Sequence, residues 1–212
     1  RHYTYGLEEA GVADAYLNSL QMAAWTAVVG TPFIFVTAYL LDKTGRPGSL
    51  LRRAVQSLAA LPMGVPGLVL GIGYILFFNH PDNPLGGLYK TLTLLVIVNV
   101  VHYYTACHLT ALTALKSLDR EFEAVSASLK VPRWVTFRRV TLPVCLPAIL
   151  DISRYLFINA MTTVSAVVFL YAPDTLPASV SILNLDEAGE LGAAAAMATL
   201  IMLTTAVFSV LH

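Results

Sequence analysis

Long apolar runs alternate with short charged segments along this chain of 212 residues. The runs occupy 15–41, 54–78, 91–115, 143–172 and 191–212. A membrane-crossing helix needs about 20 consecutive apolar residues, so each run predicts one span. The fourth run opens at Leu142-Pro143 and carries Asp151 and Arg154. A proline is tolerated in the first turn of a helix, which allows the span to begin at 143. No alternating apolar–polar pattern of the β-barrel kind runs through these segments. The pattern predicts an all-α integral membrane bundle of five spans in a single transmembrane domain, 1–212.

One segment breaks the pattern. Residues 116–139 are charged and amphipathic. Leu118, Phe122, Val125 and Leu129 fall on one face of a helix. Pro132 interrupts that helix, because it lacks an N–H and disfavours helical geometry in the residue before it. A further helical turn follows, with Trp134 and Phe137 on one side. A helix–break–helix between two spans is a shape that docks into a groove on a soluble partner.

Composition agrees with a membrane protein. Hydrophobic residues make up 57% and charged residues only 12%, where soluble domains carry about 25% charged residues. The formal net charge is zero, with no overall cationic excess, which argues against nucleic acid as a partner. Cys107 and Cys145 form no CxxC pair, and both read as small buried hydrophobes. The chain begins at Arg1 without a methionine or a signal-type apolar run, so a longer protein is expected, with at least one further span possible before it.

Charge then orients the bundle. Segments 42–53 (Lys43, Arg46, Arg52, Arg53) and 116–139 (Lys116, Arg120, Lys130, Arg133, Arg138, Arg139) hold ten of the 13 lysines and arginines. Segment 79–90 holds only Lys90, and 173–190 holds none. The positive-inside rule places the two basic segments in the cytoplasm. The N-terminal segment with Glu8, Glu9 and Asp14 is then external, as is 173–190 with Asp174, Asp186, Glu187 and Glu190. A basic cytoplasmic loop could merely bind anionic lipid, but the apolar stripe and its break favour a protein partner.

Within the membrane, Gly67 and Gly71 form a GxxxG pair that Gly64 and Gly73 extend, a surface that lets helices approach closely. Pro62 and Pro66 loosen the hydrogen-bond ladder of that span. Gly192, Ala194, Ala196 and Ala198 offer a similar small surface in the last span. Asp151 and Arg154 share one helix face. Charges at this depth face the bundle interior or a cavity, so the pair is either an ion pair that braces the helix or part of a translocation path. Along a continuous helix from Pro143 they would lie about 12 and 16 Å deep. His102 and His108 do not share a face on one helix, which argues against a two-histidine metal site there.

The chain contains no GxxxxGK[ST] phosphate loop, no HExxH and no GxSxG. It offers no catalytic constellation, so neither an ATPase site nor an intramembrane enzyme is predicted.

The stretch EAVSASLKVPRWVTFRRVTLP, 123–143, resembles the cytoplasmic EAA loop of permease subunits of ABC importers. Val140 and Leu142-Pro143 match the close of that motif. Against this anchor, Lys130 stands where the family has glycine, and Glu123 lies one residue before the family's glutamate. NSLQMAAWTAVVGTPF and LPMGVPGLVLGIGYILFF are similar to the first two core spans of these permeases. SLDREFEAVSASLKVP, LPVCLPAILDISRYLFINAMTTVSAVVFLYAPDT and LNLDEAGELGAAAAMA look more specifically like 2-aminoethylphosphonate permeases, close relatives of iron(III)-type permeases.

This resemblance implies a type I importer permease bundle (MetI-like) in the bacterial inner membrane. It implies a second permease half, an external solute-binding protein, and cytoplasmic ATP-binding subunits that hold the ATP. It assigns coupling to the ATPase to Glu123, Ala124, Ser126, Leu129, Lys130, Pro132, Leu142 and Pro143. The expected solute is 2-aminoethylphosphonate or, failing that, another small solute or ion such as iron(III). A stand-alone channel or secondary transporter is the reading from a different class.

Overall fold

The computed structural model describes residues 12–43 and 49–211, apart from the side chains of Arg120, Glu123 and Leu211. Expectations placed on Arg1, Glu8, Glu9 and Arg46 lie outside the described residues. Among the described residues the regular structure is helical, with no strand.

The first helix, α1 (Val12–Lys43), is about 48 Å long at 1.5 Å per residue. It is mostly apolar, and its small residues are concentrated on the buried side. Ala15, Ser19, Ala23, Thr26, Ala27, Gly30, Thr31 and Ala38 are buried at helical spacing. Trp25, Val28, Val29, Phe33, Val36 and Leu40 are exposed. In lipid, where apolar contact alone does not drive association, small residues on one face let backbones close in. The packing stripe of this bundle is therefore on the first span.

Two further helices make a sharply bent pair. In α2 (Leu50–Gly64), the Ser49 hydroxyl caps the start by accepting from the Arg52 N–H at 3.3 Å. The chain turns through 111° into α3 (Gly67–Phe78). Val65 at the corner is extended, as a residue before proline must tend to be. The second run, 54–78, is thus a broken element rather than one straight span. The third run divides likewise, into α4 (Leu92–His102) and α5 (Tyr104–Ser117), bent by 54°. His102 and His108 consequently lie on different helices.

The amphipathic segment forms α6 (Arg120–Ser128) and α7 (Arg133–Val144), which contains a wide π turn at Phe137–Thr141. A 69° corner at Cys145 leads into α8 (Leu146–Thr162). Where the sequence carries the fourth span from 143 to 172, the helix starts at Leu146 and ends at Thr162. Residues 163–172 form turns whose backbone is partly satisfied locally, as by Val168 N–H to Val164 O at 2.9 Å. Ala166, Val167 and Leu170 in this stretch are fully buried. Two elements complete the chain, α9 (Ala178–Glu187) and α10 (Leu191–Leu211).

By length and composition α1 and α10 can each cross a membrane, and the three bent pairs raise the number of candidate spans to five. Helix α8 packs most extensively on α1, which also touches α4, α5, α9 and α10. Met22, Ile34, Leu94, Leu156, Met161 and Met197 are among the fully buried side chains. Cys107 and Cys145 are both buried, as their apolar surroundings predict.

The GxxxG pair has a packing role, although its partner is not a helix. A Cβ on Gly67 would collide with the Ser165 side chain and sit 3.3 Å from the Ala166 amide nitrogen. One on Gly71 would sit 3.2 Å from the Ala166 carbonyl oxygen. Gly64 and Gly73 meet nothing within 4 Å. In α10 the buried small residues are Ala193, Ala194 and Ala196, beside Met197, while Gly192 and Ala198 are exposed.

Segment 173–190 is more than a loop. Ser19 Oγ accepts from the Ala178 N–H at 2.7 Å, and the Ser179 hydroxyl donates to Thr163 O. Asn18 Nδ2 donates to Asp174 O at 2.9 Å. These bonds fasten 174–179 over the Asn18–Ser19 end of α1 and the Thr163 end of α8. At the opposite end, Lys43 borders the same cavity as Lys130 and Arg133. The two basic segments therefore share one end of the bundle, and Asp14 and Asp174 share the other.

Helix α6 closes on Lys130, whose φ is 54°. The Lys130 N–H reaches Ala127 O at 3.1 Å and the Val131 N–H reaches Ser126 O at 2.9 Å. This paired closure uses a left-handed residue, and glycine is its usual occupant. The position where the family motif carries glycine is thus kept left-handed here by a lysine. Pro132 acts one step later, starting α7 with an extended backbone.

Two outcomes follow for stability. Lys130→Gly should raise the unfolding free energy by about 1 kcal/mol, while Lys130→Val should lower it by a similar amount or more, measured by thermal unfolding in detergent. Gly67→Val should destabilise by about 1–3 kcal/mol through overpacking, whereas Gly73→Val, into open space, should leave the melting temperature unchanged.

Candidate coupling and translocation sites

The amphipathic segment projects its apolar stripe away from the rest of the chain. Phe122 is 52% exposed, Leu129 70% and Trp134 65%, and Val125 is similarly bare. An exposed apolar row of this kind is a candidate interaction surface. Ala124 is also exposed, and Ser126 is half-buried. The backbone of Glu123 lies within α6, but its side chain is outside the described residues.

The element is not loosely tethered. Phe137 is buried, and its ring packs 4.5 Å from Tyr39 and 6.4 Å from Phe35 on α1. Trp134 stacks on the same ring at 5.7 Å. Asp119 caps α6 by accepting from the Glu121 N–H at 3.0 Å. Leu142 and Pro143 lie in the last turn of α7, immediately before the corner into α8. The motif residues from Ala124 to Pro143 thus form one hinged arm, anchored at Phe137 and continuous with α8. Tyr39 and Lys43, which border this arm, carry no sequence signal of their own. The Trp134–Phe137 spacing was the visible trace of the anchor.

Asp151 and Arg154 both lie on α8. Arg154 donates through a guanidinium nitrogen to Asp151 Oδ1 at 3.2 Å. The pair bridges to no ion-pair partner on another helix among the described residues. Because the helix restarts at Leu146, they stand about 8 and 12 Å along α8, shallower than a continuous helix from Pro143 would put them. Their side chains are 61% and 42% exposed. Both border a cavity of about 540 Å³ that is also lined by Thr110 from α5, Tyr155 and Asn159 from α8, and Ser209 from α10. The pair thus stands at the wall of a cavity between α5, α8 and α10.

Comparison with known proteins places this architecture. The family described as "Binding-protein-dependent transport system inner membrane component" matches residues 21–212. The ferric transport system permease protein FbpB of Actinobacillus pleuropneumoniae is 31% identical over 192 residues, covering 91% of this chain and 27% of that protein. The chain therefore spans about a quarter of the length of that relative. A putative 2-aminoethylphosphonate permease protein, PhnV of Salmonella paratyphi A, is 23% identical over 199 residues, covering 90% of this chain and 74% of its own. Among solved structures, a bacterial alginate ABC transporter in complex with its alginate-bound periplasmic protein has a chain of the same fold. Its TM-score is 0.85 at 17% identity, over 99% of this chain and 80% of that one. The chain belongs to the family of binding-protein-dependent transport system inner membrane components, the permeases of ABC importers, and has their all-helical fold.

Proposed function

We propose that this chain is a core part of the permease of an ATP-driven importer that works by alternating access. The supporting observation is the arm α6–α7, whose apolar stripe of Phe122, Val125, Leu129 and Trp134 stands largely exposed among the described residues. An ATP-binding subunit on the cytoplasmic side provides the groove for it. Glu123, Ala124, Ser126, Leu129 and Lys130 form the docking helix, Pro132 sets its angle, and Leu142-Pro143 passes its movement to α8. The ATP stays in the partner, and this chain contributes no covalent chemistry. An external solute-binding protein delivers the cargo to the opposite end, and a second permease half completes the pore.

The cargo we propose is 2-aminoethylphosphonate. Its ammonium and phosphonate groups suit a cavity wall that presents both Asp151 and Arg154. The sequence resemblance to phosphonate permeases favours the same solute. Iron(III) is the second reading, favoured by the relatives that are named as ferric permeases. Uptake of each solute by cells carrying the complete transporter separates the two, together with binding of each by the cognate external protein.

Two variants test the mechanism. Ala124→Asp puts a charge on the docking helix, which should cost a few kcal/mol at a buried interface. Uptake and co-purification of the ATP-binding subunit should both fail, with the melting temperature of the permease unchanged. Normal uptake would remove the coupling role from this arm. Arg154→Ala should assemble and support ATP hydrolysis, yet lose phosphonate uptake at least tenfold. If it fails to assemble instead, the pair is a structural brace and not part of the path.

A further inference from the structure

The inner side of the hinged arm borders a second, partly open cavity, distinct from the one beside Asp151. It has a volume of about 390 Å³ and lies between the Lys43 end of α1 and the closure of α6. Three cations border it: Lys43, Lys130 and Arg133. No carboxylate lines it among the described residues. Lys43 is held by its neighbour Asp42 at 3.1 Å, which leaves Lys130 and Arg133 as cations with no ion-pair partner among the described residues. Hydroxyls complete the wall, and one of them, Thr136 Oγ1, is buried without a hydrogen-bond partner.

Two features make this more than a solvated basic surface. Lys130 is held at a φ of 54°, a left-handed conformation that lysine disfavours and glycine adopts freely. Strain of this kind at a site is a reason to look for function. The left-handed backbone here presents a cation to the cavity at a position where glycine would fit better. The cavity also lies off the apolar stripe. On a helix of 3.6 residues per turn, Ser126 and Ala127 sit roughly 115° around from Phe122, Val125 and Leu129, and Lys130 borders the same cavity beyond the helix end. They turn towards α1 and leave the exposed stripe to its own partner.

We propose that this cavity binds a phosphate group, presented by an anionic phospholipid headgroup or as a free anion. A tetrahedral oxyanion satisfies what the wall offers: two unpaired cations, a third beside them, and a donor hydroxyl without an acceptor. The site lies where a spanning helix ends at the basic face, the depth at which basic pockets between helices meet headgroups of the cytoplasmic leaflet. Once bound, the phosphate ties α1 to the elbow of the arm and stiffens the joint between α6 and α7.

The test uses the full-length protein that contains this chain, purified with its associated subunits. One arm reconstitutes it in nanodiscs of phosphatidylcholine doped with phosphatidylglycerol and counts retained phosphatidylglycerol by native mass spectrometry. The other measures the shift in melting temperature caused by inorganic phosphate against chloride at matched ionic strength, in neutral detergent. The variant is Lys130→Asn with Arg133→Gln, since asparagine tolerates the left-handed backbone while both charges are removed. Wild type should retain the lipid, or be stabilised by phosphate, and the double variant should lose that effect about tenfold. A response confined to the lipid arm assigns the headgroup, and one confined to the phosphate arm assigns the free anion. Equal behaviour of wild type and variant in both arms overturns the proposal. So does loss of an associated subunit from the variant with lipid retention and phosphate response unchanged, because the cations would then serve a protein contact.

Discussion

The close approach of α1 and α8 is the constraint on which the rest of the bundle rests. A Cβ added to Gly30 would lie 2.9 Å from Leu156 Cδ1 and 3.0 Å from Val100 Cγ2, so α4 and α8 meet α1 at a place where only glycine fits without displacement. Lipid tails are as apolar as leucine, and such helices associate through packing rather than escape from water. The buried face of α1, rich in small residues and holding Met22, Ile34 and Phe35 among them, supplies that packing. Both ends of the molecule then hang on the same helix. Ser19 receives the start of α9 at one end. Phe35 and Tyr39 receive Phe137 at the other.

Two of the three sharp corners follow from breaks in the backbone ladder beside a proline. Pro66, and the extended Val65 before it, turn α2 into α3. Cys145, followed by Pro147 in the first turn of α8, turns α7 into α8. Irregular backbone within a membrane must be buried in protein or line a cavity. The stretch 163–172 meets this condition through its buried side chains and its contact with Gly67 and Gly71. The corner at Cys145 also gives the proposed coupling a mechanical route. The arm that carries the docking stripe continues into the helix that carries Asp151 and Arg154, so a rigid movement of the first must turn or tilt the second.

The sequence by itself determined the class of the molecule. Apolar run length demands helices that can span lipid, the spacing of Phe122, Val125 and Leu129 demands an amphipathic helix, and the distribution of lysine and arginine separates two ends. Those properties are local or additive, so they can be read along one chain. The motif around Leu142-Pro143 further identified the arm, and the missing glycine at position 130 was visible as a departure. Tertiary structure decided what depends on neighbours distant in sequence. It made the stripe of α1, rather than the GxxxG span, the main packing face, because Gly67 and Gly71 meet a turn and not a helix. It ended α8 at Thr162, although the apolar run continues, because Ala166, Val167 and Leu170 could be buried without helical geometry. It also joined Lys43 to Lys130 and Arg133 around one cavity, since charges far apart along a chain become a site only when the backbone brings them to the same place.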